Sequence, residues 1–249
     1  MSLLSVQREG SGSVFVWLHG FTQTRASAHQ FRSILAGSHE LLTPDLPGHG
    51  DSCALRATLE ECADLVAAVM PEGPVDLGGY SFGARVALHV ALRHPQKIRK
   101  LVLLGATRGI EDEAQQLERR QHDEVLADRI ELVGVEVFLN EWLAQPMFAA
   151  QPRDPLERAA RSRDARGLAN SLRLAGTGTQ AWLAPILNVV TAVTLTLAGA
   201  NDQKFADEAK AIANGVPQGS FALVDSAGHA AHLEQPDATA RLVGAFLGN

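Results

Sequence analysis

The sequence predicts an α/β fold: a mostly parallel central sheet with helices on both faces, interrupted once by a helical insertion. Three observations carry this. Short apolar, β-branched runs alternate with helix-like stretches along the N-terminal part of the chain. That rhythm stops near Glu111 and returns near Val193. One run, Leu101 to Leu104, is apolar at every residue, as a central strand buried on both faces is.

Val14 to Leu18 reads as a strand, and Leu41 to Asp45 as a second that ends in the Pro/Gly-rich loop Leu46-Pro47-Gly48-His49-Gly50. Leu59 to Met70 has apolar residues at helical spacing and stops at Pro71. Val75 to Leu77 is a short strand, Ala84 to Arg93 a helix that stops before Pro95, and Leu101 to Leu104 a strand. From Glu111 to about Trp182 only charged, amphipathic helical pattern follows, with nine arginines, no lysine and thirteen acidic residues. Strands return at Val193 to Leu197 and Phe221 to Val224, and a last helix runs from Ala238 to Leu247. The expected organisation is a core of residues 1–110 and 185–249, with residues 111–184 as a helical lid.

Composition narrows the function. With 46% hydrophobic and 20% charged residues, the 249-residue chain can bury a core without disulfide or metal staples. A net charge of −6 argues against a nucleic-acid binder, which needs a basic face. The two cysteines, Cys53 and Cys62, lack metal-ligand spacing and point to a reducing, cytoplasmic setting. No basic stretch precedes an apolar run at the N-terminus, so no signal peptide is expected. The longest uncharged stretch, Leu174 to Asn201, is too weakly apolar for a membrane span and reads as a connection plus a buried strand.

Gly79-Tyr80-Ser81-Phe82-Gly83 fits Gly-x-Ser-x-Gly between a strand and a helix, the context of a nucleophile elbow. The turn lifts Ser81 clear of the sheet, and the helix N-terminus beneath it favours negative charge. A serine hydroxyl needs a base, and the base an orienter. His229 follows the last strand and Asp202 the one before it, both at the carboxyl edge of the sheet. The chain order Ser81, Asp202, His229 is the order of this architecture. Asp225 is a rival orienter, but it reads as a solvent-facing strand end. The loop at His19-Gly20-Phe21 follows the first strand, so the N–H groups of Phe21 and Phe82 are the expected oxyanion-hole donors, with His19 bracing the loop. His229 and His232 form a His-x-x-His pair, but no His-Glu-x-x-His motif or nearby cysteine accompanies it, and no metal is expected. No Walker loop or dinucleotide fingerprint occurs.

Together Leu18-His19-Gly20-Phe21, Asp45 to Gly50, the elbow, Gly199 to Asp202 and Gly228-His229 resemble the α/β-hydrolase superfamily over nearly the whole chain. A narrower set is similar to the 2-succinyl-6-hydroxy-2,4-cyclohexadiene-1-carboxylate synthases (MenH) of menaquinone biosynthesis. It comprises Arg85 four residues after Ser81, Glu118 to Asp123, Glu141 to Phe148, Gly167 to Arg173 with Gly176-Thr177-Gly178, and Asp202 to Phe205. That family eliminates pyruvate from an enolpyruvyl cyclohexene carboxylate, a lyase on a hydrolase fold, with no metal or organic cofactor. The resemblance implies that Arg85, Arg119 or Arg120, and Arg161 or Arg163 hold substrate carboxylates, and that Tyr80 and Trp142 line the pocket. Ala84 stands where the family usually has glycine, and Phe82 where it often has Met or Leu.

Chemistry points the same way, since planar bidentate arginines suit a small polycarboxylate better than lysines do. For Arg129, Arg153, Arg158 and Arg173 the expectation is instead solvated i,i+4 pairing with acids. A serine hydrolase cleaving an ester or a carbon–carbon bond through the same triad is the alternative function, and a non-catalytic scaffold would predict a broken triad. The expected partner is a small anionic substrate, and the expected assembly a monomer or weak homo-oligomer.

Overall fold

The computed structural model describes residues 3–248. Its strands are β1 (Val6–Gly10), β2 (Ser13–Leu18), β3 (His39–Pro44), β4 (Val75–Tyr80), β5 (Ile98–Leu104), β6 (Val193–Gly199) and β7 (Gly219–Val224). Its α-helices are α1 (His29–Ala36), α2 (Leu59–Val69), α3 (Phe82–Arg93), α4 (Glu113–Leu143), α5 (Pro155–Ala159), α6 (Ala165–Ala175), α7 (Gln203–Gly215), α8 (Ala231–Glu234) and α9 (Pro236–Gly248). One seven-stranded sheet has the order β1-β3-β2-β4-β5-β6-β7. Every neighbouring pair is parallel except β1 with β3.

Alternation along each strand sorts side chains to two layers. Val16 and Leu18 of β2 and Leu101 and Leu103 of β5 pack with α2 and α3. Phe15 and Trp17, Val102 and Leu104 pack on the opposite face with α1 and α9. The helix α2 starts at a complete capping box, Thr58 with Glu61. Helices cover both faces, so β5 ends in the fully buried apolar run Leu101 to Leu104.

Three elements carry no clear signal in the sequence. Strand β1 has one apolar residue, Val6, and exists because its backbone pairs with the edge of β3. The helix α7 buries Ala206, Ala209 and Ala213 beside Ile212, a stripe too small to read as a core face. The helix α1 is eight residues long and has no side-chain cap of its own. Its first amides are taken instead by Glu157 of α5, which accepts from Ala28 N at 2.8 Å and His29 N at 2.9 Å.

Between β5 and β6 the described residues form helices and turns with no strand. The helix α4 breaks at Gly134, where φ is 76° and ψ 166°. Its two arms fold onto α6 around Ile130, Phe138, Leu139, Leu168 and Leu172. Phe21, from the loop after β2, packs into this cluster and into the sheet core as well. Thr24 Oγ1 donates to Ala160 O at 2.6 Å and Ser162 N to Thr22 O at 2.8 Å, which ties the helical segment to that same loop. Among the described residues no helix is long and apolar enough to cross a membrane.

Glu157→Ala removes both acceptors at the start of α1. The expected cost is about 1 kcal/mol, as for loss of a helix cap, and a fall in Tm of about 2–4 °C. An unchanged melting curve would show that these amides need no partner.

Candidate active site

The loops after β2, β4, β6 and β7 meet at the carboxyl edge of the sheet, where a parallel sheet places ligand sites. Ser81 sits between β4 and α3 with φ 51° and ψ −107°, a conformation that L-residues avoid. Two glycines make this turn possible. A Cβ on Gly83 would lie 2.2 Å from the Leu18 carbonyl oxygen, and one on Gly79 would lie 2.5 Å from Gly83. Ser81 N donates to Leu104 O at 2.8 Å, anchoring the elbow to the neighbouring strand. Ser81 Oγ then stands at the N-terminus of α3, the positive end of that helix.

His229 Nε2 is 3.1 Å from Ser81 Oγ, and His229 Nδ1 is 2.8 Å from Asp202 Oδ2. The carboxylate therefore favours the tautomer with hydrogen on Nδ1, which leaves Nε2 free to accept from serine. Asp202 caps α7 with its other oxygen. Asp225 is exposed and makes no bond to His229 among the described residues. Glu234, unremarked in the sequence, clamps the His229 loop from both sides: its carboxylate accepts from Gly228 N at 2.6 Å and Ala230 N at 3.0 Å.

The Phe21 loop is held by buried imidazoles. His19 Nδ1–H donates to Gly20 O at 2.9 Å while Nε2 accepts from Leu46 N at 3.0 Å. His49 Nδ1–H donates to Pro47 O at 3.0 Å and its Nε2 accepts from Thr22 N at 3.3 Å. Each ring uses one donor and one acceptor, so each is held neutral. Burial pushes His19 down to about 4, and burial with the neighbouring His19 pushes His49 down to about 3. Gln23 accepts from Gly20 N at 2.8 Å and donates to His232 at 3.2 Å. His232 thus faces Gln23 and the Tyr80 ring, whose centroid is 4.1 Å away, while His229 faces serine and aspartate. Among the described residues no three His, Cys, Asp or Glu side chains gather as a metal site would need.

A cavity of about 200 Å³ opens over Ser81 and His229. Phe21, Tyr80 and Phe82 line it from the sheet side, and Trp142, Met147 and Phe148 from the helical segment. Its wall carries Arg85, Arg119, Arg161 and Lys204 but no Asp or Glu. Arg85 is 8% exposed and donates to Ala175 O at 3.0 Å; burial, then the nearby Arg119, lowers it to about 10. Arg161 is 5% exposed and donates to Thr22 Oγ1; burial lowers it too. Neither has a carboxylate partner among the described residues, so both are unneutralised buried cations. Of the alternatives open in the sequence, Arg119 and Arg161 reach the cavity. Arg120 is exposed, and Arg163 pairs with Glu136 on the outside.

The expected i,i+4 pairing of the outer arginines is corrected. Arg129 pairs with Glu141 across the Gly134 break, Arg158 with Glu136, and Arg173 of α6 with Glu124, Asp128 and Glu131 of α4. The Arg173 bridges come from the packing of α6 on α4, the Arg158 bridge joins α5 to α4, and the Arg129 bridge joins the two arms of α4; Arg153 makes no ion pair among the described residues. Gln151, unremarked in the sequence, also lines the cavity, as do Lys204 and Phe205, which the sequence marks only as part of the motif Asp202 to Phe205. Phe205 lies 4.3 Å from the His229 ring, ring centre to ring centre, and its place three residues after Asp202 was the available signal.

This sheet with its elbow is the frame of an enzyme, and the chain belongs to the alpha/beta hydrolase family, whose sequence profile matches residues 15–242. Within it the chain is similar to the 2-succinyl-6-hydroxy-2,4-cyclohexadiene-1-carboxylate synthase of Serratia proteamaculans, at 32% identity over 98% of this chain and 96% of the relative. It is similar in structure to MenH from S. aureus, with a TM-score of 0.90 and 31% identity over 100% of this chain and 98% of that one. A thermophilic esterase from Thermogutta terrifontis shares the fold at a TM-score of 0.84 and 24% identity, over 98% and 93% of the two chains.

His19 and His49 titrate near 6.5 when unfolded, and at about 4 and about 3 when folded. Between those values the unfolded chain binds more protons, so stability falls as pH drops below 6.5. Urea midpoints measured from pH 7 down to pH 5 are expected to decrease, and His49→Asn to flatten that slope. A midpoint independent of pH across this range would contradict the neutral, buried imidazoles.

Proposed function

We propose that the protein is a carbon–oxygen lyase of menaquinone biosynthesis. It eliminates pyruvate from 2-succinyl-5-enolpyruvyl-6-hydroxy-3-cyclohexene-1-carboxylate to leave 2-succinyl-6-hydroxy-2,4-cyclohexadiene-1-carboxylate. The observation that carries this reading is a serine–histidine–aspartate hydrogen-bond chain opening into a cavity with arginines and no acid on its wall. The substrate has three carboxylates. Arg85, Arg119 and Arg161 are the three arginines assigned to them, with Tyr80 and Trp142 against the ring. The reading places the enzyme in the cytoplasm, acting on a small soluble substrate.

The chemistry is a proton abstraction followed by loss of a leaving group. His229 Nε2 takes the Ser81 proton as Ser81 Oγ removes the proton at ring carbon 2, beside the succinyl carbonyl. The electron pair moves onto that carbonyl oxygen, and the enolate is held by the N–H groups of Phe21 and Phe82. Collapse of the enolate forms the diene and breaks the carbon 5–oxygen bond. His229 returns its proton to the departing enolpyruvate, which ketonises to pyruvate. Asp202 holds the ring and stabilises the imidazolium while it lasts. No electrons leave the system, so the reaction requires no redox cofactor.

Purified protein is expected to release pyruvate from this substrate, read by coupled reduction to lactate. Ser81→Ala and His229→Ala should each lower kcat by about a thousandfold or more, and Asp202→Asn by that much or less. Arg85→Ala should cost about tenfold to a hundredfold in kcat/KM on the tricarboxylate, with Arg85→Lys an incomplete rescue. Hydrolysis of a neutral aryl ester should be slow and indifferent to the Arg85 changes. A wild type that cleaves such esters quickly and releases no pyruvate would be a serine hydrolase acting through an acyl-Ser81.

A further inference from the structure

Asp123 is a carboxylate that the chemistry above leaves unused. It lies on α4 one turn after Arg119 and is 1% exposed. Its Oδ1 accepts from Arg119 Nε at 2.8 Å, and its Oδ2 accepts from Gly178 N at 3.1 Å. Gly176 presses against it so closely that a Cβ there would sit 2.5 Å from Oδ2. Gly176 and Thr177, which flank this contact, both line the cavity. Among the described residues Arg119 makes no other hydrogen bond, so its two Nη atoms have no protein acceptor.

An arginine and a carboxylate can meet in two ways. A fork-to-fork contact with the Nη atoms satisfies the carboxylate and uses up the arginine. A contact through Nε alone holds the plane of the guanidinium and leaves the outer edge open to another anion. Asp123 makes the second kind, because its other oxygen is committed to Gly178 and its position is set by Gly176. Arg85 stands close to the same pair without bonding to Asp123, so the corner holds two guanidiniums and one carboxylate and keeps a net positive charge.

We infer that Asp123 is a positioning residue for substrate binding: it grips Arg119 at Nε and presents the Nη edge to the cavity for one substrate carboxylate. The inference rests on the arginine-lined cavity being the substrate site. Pre-set geometry removes the ordering cost that a long, free side chain would add to binding. Arg119 Nε and Gly178 N meet different oxygens of Asp123, so asparagine here would turn its NH2, a donor, toward one of them.

The test combines steady-state kinetics on the enolpyruvyl substrate with calorimetric binding of succinate, a probe that needs no turnover. Asp123→Asn is expected to raise KM and the succinate Kd about tenfold, with kcat changing within about threefold. Combined with Arg119→Gln it should bind no more weakly than Arg119→Gln alone, since the carboxylate acts through that guanidinium. Effects that multiply in the double variant, or a loss of kcat and Tm at unchanged Kd, would overturn the inference and make Asp123 a structural residue. Arg119→Lys supplies a second arm should Asp123→Asn fail to fold. An ammonium seated on Asp123 has no outer edge to offer, so this variant should bind succinate as weakly as Arg119→Gln. Wild-type affinity in Arg119→Lys would overturn the inference. A wild type that binds succinate but releases no pyruvate would refute the lyase and still decide Asp123 by its binding constants. A wild type that binds no succinate would refute the anion site, and Asp123 with it.

Discussion

Gly83 lies against the backbone carbonyls of Leu18 and His19, with no room for even a methyl group between them. This contact brings the ends of β2 and β4 together, and the geometry of the site depends on it. It sets the distance between the loop that carries Phe21 and the elbow that carries Ser81. It also lets α3 begin directly beneath the serine, so that the helix dipole and its free amides point at Ser81 Oγ. A second close approach, Gly199 against the Ala227 and Gly228 carbonyls, does the same for the loops that carry Asp202 and His229.

Charge in the protein is divided by depth. On the outer surface of the helical segment, Arg129, Arg158, Arg163 and Arg173 meet carboxylates and are largely neutralised. Inside, Arg85 and Arg161 are buried with backbone, amide and hydroxyl oxygens as their protein acceptors. Holding cations this way costs folding free energy, because dipoles replace water poorly. A bound polyanion would supply the missing countercharge. The net charge of the chain, −6, conceals this pocket because the acids are placed elsewhere.

The histidines show a related division. His229 faces the cavity and is tied to a carboxylate, which suits a ring that gains and loses a proton. His19, His49 and His232 are enclosed, and burial drives each toward the neutral form. As neutral rings they act as braces, and His19 and His49 each join a backbone group of the loop after β2 to one of the loop after β3. The site thus sets one carboxylate-bound imidazole on the cavity within a frame that does not titrate near neutral pH.

Much of this architecture was legible in the sequence. Strand β5 reads as central because it is apolar on both faces, and the elbow reads from two glycines around a serine between a strand and a helix. Those signals are local: they arise from periodicity and from backbone conformations that few residues tolerate. Strand β1, α1 and α7 left little trace, because each is made by partners distant in the chain. Backbone pairing with β3 makes the first, Glu157 caps the second, and a shallow stripe of alanines seats the third. The same distinction holds in the site. The order of Ser81, Asp202 and His229 is a property of the sequence. Which arginine of Arg119 and Arg120 turns inward is decided by how α4 packs, and which of Arg161 and Arg163 by the docking of their loop on Thr22, since neighbours in sequence point to opposite sides of a surface only once that surface exists.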